Sequence, residues 1–318
     1  MEIQMRQTIK DFKLKSSDVT FFGKNLNRPE CVWIDREGIW VSDSRGGIAS
    51  VHDDDEPMLI GAGIQEVNGF SRRANGNFVV ADISGGALYE VAPNGDTHLL
   101  LDEIGGAPLG AVNHAWVDHE DRIWVSIMTR HQRWYDMLKS GRRDGYIIRI
   151  DERGPVIVAD DIACTNEVKV GPDGKYLHAA ETLGNKIIRF PIFPDGSLGD
   201  RQTVGPESLG YGGWPDGFTF DADGNIWVTL ICRNGISVIT PDGAANVVCE
   251  DVNRLALDSL VASVQDQTTD PQLILACASG FLPLPTSIAF GGPDARTAYV
   301  GSIAMPCLAA FPLPTSGQ

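Results

Sequence analysis

One pattern returns six times along the chain: an apolar pair, an Asp or its equivalent, a short turn with Gly, then an apolar-aromatic strand. The copies include Ile34-Asp35-Arg36-Glu37-Gly38-Ile39-Trp40-Val41, Ala74-Asn75-Gly76-Asn77-Phe78-Val79-Val80 and Val117-Asp118-His119-Glu120-Asp121-Arg122-Ile123-Trp124-Val125. Val170-Gly171-Pro172-Asp173-Gly174-Lys175-Tyr176-Leu177 and Phe220-Asp221-Ala222-Asp223-Gly224-Asn225-Ile226-Trp227-Val228 follow. The sixth is Phe290-Gly291-Gly292-Pro293-Asp294 leading to Ala298-Tyr299-Val300. Each reads as a hairpin, with β-branched and aromatic residues where a pleated surface takes them. A second hairpin follows most copies, as at residues 87–91 before Pro93-Asn94-Gly95 and 236–239 before Pro241-Asp242-Gly243. Two hairpins make a four-stranded sheet, and six such sheets predict an all-β, six-bladed β-propeller. The whole chain, 1–318, is expected to form this one domain, with 1–22 supplying the strand that closes the ring. An eight-stranded sandwich is the alternative, and it leaves six similar hairpins unexplained.

Two segments break the rhythm. Residues 129–143 are too long for a turn, and 250–284 contain Leu255, Leu257, Leu260, Val261 and Val264 at helical spacing. Both read as inserted loops, either plain surface excursions or a lid or oligomer contact. Lys plus Arg number 26 against 42 Asp plus Glu, a net charge of −16. A field of that sign repels phosphate backbones, so nucleic-acid partners are excluded. No apolar run approaches the ~20 residues that span a bilayer, and the first residues lack a signal-peptide core, so a cytoplasmic protein without membrane partners is expected. Six cysteines (Cys31, Cys164, Cys232, Cys249, Cys277, Cys307) form no CxxC pair, which argues against zinc-ribbon and thioredoxin chemistry and for reduced, buried thiols.

In a propeller the innermost strand of each blade lines the central channel. Counting eight residues back from each hairpin Gly, or its equivalent, gives Glu30, Asn68, Asn113, Asn166 and Asp216; aligning Phe290 with Phe220 gives Thr286. All six side chains carry oxygen: two acids, three amides and a hydroxyl. Residues at one register converge on the axis, so this is a ring of hard ligands suited to one divalent cation. The lack of His and Cys favours Ca²⁺ over Zn²⁺, with Mg²⁺ or Mn²⁺ as alternatives. The competing reading is the ordinary polarity of a water-filled channel.

Arg28-Pro29-Glu30-Cys31-Val32-Trp33, Thr165-Asn166-Glu167 with Pro172-Asp173-Gly174, Trp214-Pro215-Asp216-Gly217 with Asp221-Ala222-Asp223-Gly224, and Ala289-Phe290-Gly291-Gly292-Pro293-Asp294 resemble the regucalcin/gluconolactonase/luciferin-regenerating-enzyme family. The resemblance spans about residues 25–312. It implies a six-bladed propeller with one catalytic divalent ion, typically Ca²⁺ or Zn²⁺, that hydrolyses lactones or related esters. Carried over by motif, Glu30, Asn166 and Asp216 are the direct ligands, and Asn113 completes the site through substrate or water. Sugar-lactone members carry an Arg-x-Asn-Asp run in the third blade, where this chain has Ala111-Val112-Asn113-His114, and Asn-Gly where it has Asn166-Glu167. A lactone less polar than gluconolactone is therefore expected.

In that reading Asp216 is the general base, with direct attack by Asp216 as a covalent variant. Asn68, Thr286, His114, His131, Trp134, Tyr135 and Trp214 are candidate substrate contacts, with Tyr211 near the same mouth. Strand alternation turns His114 away from the channel, and aromatic residues in such a fold also serve as plain core. The rival readings are phosphotriester or aryl-ester hydrolysis on the same metal floor, a strictosidine-synthase-like condensation without an ion, and a Ca²⁺-dependent binding propeller without turnover.

Overall fold

Six four-stranded antiparallel sheets form a ring in the computed structural model, which describes residues 9–52, 56–61, 63–138, 142–268 and 270–317. The inner strands are, in blade order, Val32–Asp35, Val67–Arg72, Ala111–Val117, Thr165–Val170, Pro215–Phe220 and Pro285–Gly291. Each pairs outward with the next strand in sequence, so five blades are simple meanders. The sixth is composite. Its three C-terminal strands are completed by Thr20–Phe22, which pairs antiparallel with Leu308–Ala310 and joins the two chain ends in one sheet. Of the closing segment 1–22, residues 1–8 lie outside the described residues, as do 139–141 and 269 of the two insertions.

The repeated Asp explains why these turns form where they do. The Asp118 carboxylate accepts the amides of Glu120 and Arg122, the Arg122 guanidinium and the Trp124 indole N–H. Asp221 does the same for Asp223, Asn225 and Trp227. One side chain thus closes the turn and fixes the Trp of the following strand, and both Trp124 and Trp227 are fully buried between blades. Blade 1 departs from the scheme: its Asp35 is taken by Trp33 and Arg72, and the Trp40 indole nitrogen is left without a partner. The C-terminal tail stitches blades 5 and 6, since Ala222 donates to Ser316 and Gly317 to Ala295.

The amphipathic pattern at 254–264 forms a helix, α1 (Arg254–Gln265), that buries Leu257 and Leu260 and leaves Leu255 exposed. A shorter helix, α2 (Gln272–Ala276), follows. The other insertion folds into a 3₁₀ turn, Trp134–Leu138. Both pack on the same end of the ring, in one apolar cluster with Ile83, Ala111, Met128, Trp214 and Ile231. Among the described residues, no helix is long and apolar enough to cross a membrane.

His178, on the second strand of blade 4, is packed against Phe220, Tyr176 and Phe218. Burial pulls its pKa down to about 4. The unfolded chain protonates this ring below pH ~6.5 while the folded chain resists until about 4, so stability falls with pH across that window. His178→Leu should remove about 2 kcal/mol of the destabilisation that wild type suffers between pH 7.5 and 5. Urea unfolding of both proteins at the two pH values measures this; equal pH dependence would refute it.

Candidate functional site

The ring residues owe their placement to a defect repeated around the axis. In blades 2 to 6 the pairing between first and second strands slips where the ring residue stands: between Val67 and Phe70, Val112 and His114, Thr165 and Val168, Pro215 and Phe218, and Pro285 and Ile288. In blade 1 regular pairing starts only at Val32, two residues after Glu30. A bulge leaves one residue without a partner across the ladder and re-aims its side chain. Hydroxyls from the second strand satisfy the amides so released: Ser42 accepts from Cys31, Ser126 from His114 and Thr229 from Gly217.

Glu30, Asn68, Asn113, Asn166, Asp216 and Thr286 are all buried. Asn68 is a brace. Its amide nitrogen donates to Glu30 Oε1 at 3.1 Å and to the Asn113 carbonyl at 3.0 Å, and its oxygen accepts from Arg28 Nη2 at 2.9 Å. Thr286 Oγ1 donates to the Glu30 carbonyl at 2.7 Å. Four buried oxygens, one from each remaining direction, have no hydrogen-bond partner: Glu30 Oε2, Asn113 Oδ1, Asn166 Oδ1 and Asp216 Oδ1. Burial pushes the Glu30 pKa up to about 7, with Arg28 pulling the other way. Burial, then the charges of Glu30 and Glu167, raise Asp216 well above the carboxylate range.

Four orphaned oxygens, two of them on carboxylates, are costly in a buried site. A divalent cation among them would satisfy all four and neutralise both acids, so this donor set fits a hard metal ion. The four residues line a cavity of about 520 Å³ together with Arg28, Thr286, Trp134, Tyr135 and Trp214. Its remaining wall is mostly apolar and includes Ile274 and Leu275 of α2 and Met137 of the 3₁₀ turn. Both insertions therefore cover the ring.

A second layer lies one residue further along each inner strand. Cys31, His114 and Glu167 come from three blades, yet their ligand atoms lie within 4.8 Å of one another. Gly69 and Gly217 make this possible: a Cβ at either would collide with His114 or with Glu167. Glu167 is already occupied, by Lys169 Nζ at 2.9 Å and the Phe218 amide at 3.2 Å. This layer is thus a charge-paired floor.

Of the candidate substrate contacts, Trp134, Tyr135, Trp214 and Thr286 line the cavity and Asn68 stands behind it. The other three lie elsewhere. His114 faces the axis, against the alternation rule, because the bulge keeps two successive side chains inward; it lines a separate cavity of about 310 Å³ with Trp116, Lys169 and Phe290. His131 is half exposed and lies 3.6 Å from Asp144. Tyr211 is exposed and donates to Asp258 of α1. Sequence reasoning did not single out Arg28 or Cys232, which also lines the cavity, and named 250–284 as a lid candidate without the α2 residues that reach it; of these, only the Arg-Pro-Glu run carried a readable signal.

The sequence and the fold have counterparts among known proteins. A 6-deoxy-6-sulfogluconolactonase of Pseudomonas putida is 27% identical over 240 residues, 75% of this chain and 69% of that protein. The structure of a gluconolactonase from Xanthomonas campestris superposes with a TM-score of 0.68 at 20% identity, covering 93% of this chain and 89% of the other. A calcium-binding protein, regucalcin, from Agrobacterium tumefaciens gives 0.66 at 16% identity, covering 94% and 96%. The profile of the SMP-30/Gluconolactonase/LRE-like region matches residues 29–250, and the chain belongs to that family.

Proposed function

We propose that this protein is a metal-dependent lactonase acting on lactones less polar than gluconolactone. The observation that carries the reading is the set of four unpartnered oxygens on Glu30, Asn113, Asn166 and Asp216 at the floor of one cavity. Glu30, Asn166 and Asp216 would hold the ion, with Asn113 as a further oxygen donor, and oxygen donors of this kind suit Ca²⁺. A bound ion would supply Lewis-acid stabilisation of the negative charge that develops on the lactone carbonyl oxygen.

The protein's own groups do the rest. Asp216 takes the proton from the attacking water and returns it to the departing ring oxygen. Asn68 keeps Glu30 oriented through the bond to Oε1. Trp134, Tyr135, Trp214, Ile274 and Leu275 supply an apolar wall that seats the body of the substrate and excludes bulk water. Ala111, two residues before Asn113, contributes no donor to that wall, which favours apolar or aryl lactones over a polyhydroxylated ring. The Pseudomonas relative, named for a sulfonated sugar lactone, supports the reaction class.

A panel of lactones and aryl esters in a pH-indicator assay tests this. Aryl or alkyl lactones should show higher kcat/KM than glucono-1,5-lactone, and chelator should abolish turnover until Ca²⁺ is restored. Ca²⁺ binding with no turnover of any lactone or ester would make the protein a binding propeller; preference for gluconolactone would overturn the substrate assignment.

A further inference from the structure

Arg28 stands two residues before Glu30, the same register in blade 1 that Ala111 holds before Asn113 in blade 3. It is the one basic residue among the described residues lining the cavity. Its backbone is left-handed, with φ of 54°, an uncommon conformation for a side chain of this size. The Glu30 amide donating to the Arg28 carbonyl at 2.8 Å holds that turn, and Asp43 secures the segment through the Asn27 amide at 3.0 Å.

The guanidinium is fixed on two of its three nitrogens. Nη2 donates to Asn68 Oδ1 at 2.9 Å, and Nε lies 3.6 Å from Glu66 Oε1. Glu66 also accepts from the Ser84 hydroxyl, so it does not belong to Arg28 alone. The third nitrogen, Nη1, is buried and has no partner. An unpaired N–H on a buried charged group is costly, and a guanidinium pairs well with an oxyanion that offers two oxygens to its fork of N–H groups. Once an ion neutralises Glu30 and Asp216, Arg28 is opposed only by the longer contact to Glu66.

We propose that Arg28 is a specificity-determining residue that anchors a carboxylate or sulfonate substituent on the substrate, whose remaining body lies against the apolar wall. The inference rests on the lactonase reading for the identity of the reacting group. It narrows the substrate to a lactone with an apolar body and one oxyanion within reach of Arg28 while the carbonyl meets the ring of oxygens.

The test compares an unsubstituted aryl lactone with its carboxylated analogue on the Ca²⁺-loaded wild type, Arg28→Met and Arg28→Lys. Wild type should prefer the carboxylated lactone. Arg28→Met should lose about 100-fold more in kcat/KM on it than on the neutral one, with Arg28→Lys recovering part of that difference. Equal losses on both substrates, or a wild-type preference for the neutral lactone, would overturn the inference while leaving lactone hydrolysis standing. Calorimetric titration with phenylacetate provides a readout independent of turnover. At saturating Ca²⁺, wild type should bind it and Arg28→Met should not; no binding by wild type, or equal binding by both, overturns the assignment even if no lactone is hydrolysed.

Discussion

Asp216→Ala is expected to lower kcat/KM on lactones by at least about 10³ and to leave the six blades folded. The substitution removes the proposed base together with one of two charged ligands of the ion, and either loss alone costs orders of magnitude. Its effect on the ion-free protein should run the other way. Asp216 is buried, and its charge is disfavoured first by that burial and then by Glu30 and Glu167. Removing it relieves repulsion, so the chelator-treated variant should melt at or above the chelator-treated wild type. Steady-state kinetics and thermal unfolding with and without chelator check both halves. An active Asp216→Ala would remove the residue from the mechanism; an unfolded one would show that its role is structural.

Asp221→Ala should be the most damaging substitution away from the cavity, costing about 3–5 kcal/mol. The Asp221 carboxylate is wholly buried and accepts from two backbone amides, the Asn225 side chain and the Trp227 indole. Removing it orphans these donors and frees Trp227, which sits against Phe12, Phe290 and Phe311 where blades 5 and 6 meet. Asp35→Ala in blade 1 should cost much less, because Asp35 is partly exposed and its Trp40 indole is already unpaired. Denaturant unfolding of the two variants measures the contrast. Equal losses would contradict the role assigned to the turn carboxylate.

The blades were readable because their determinants are local. Asp118 and Asp221 close a turn and hold a Trp six residues on, so the signal repeats within a short window. The ring of oxygens was readable for the same reason, since counting back from a turn Gly fixes a register along one strand. What could not be read is what depends on the bulge. Alternation turns His114 outward, but the slip between Val112 and His114 keeps it on the axis, against Gly69 and beside Glu167. Nor did spacing bring α2 to the cavity, because Ile274 and Leu275 reach it only through the packing of α1 on Trp214 and Ile231. Arg28 was visible in the Arg-Pro-Glu run, but its free Nη1 depends on Asn68, forty residues away in the next blade.

The cation site is the claim on which the rest depends, and calorimetric titration of Ca²⁺ into the chelator-treated protein tests it most directly. One ion should bind per folded chain, raising the melting temperature as ligand binding to the native state requires. Binding should be lost in both Glu30→Gln and Asn166→Ala and retained in Asn68→Ala at reduced affinity. Absence of any divalent-ion binding by the wild type, or binding that survives both Glu30→Gln and Asn166→Ala, would contradict the account.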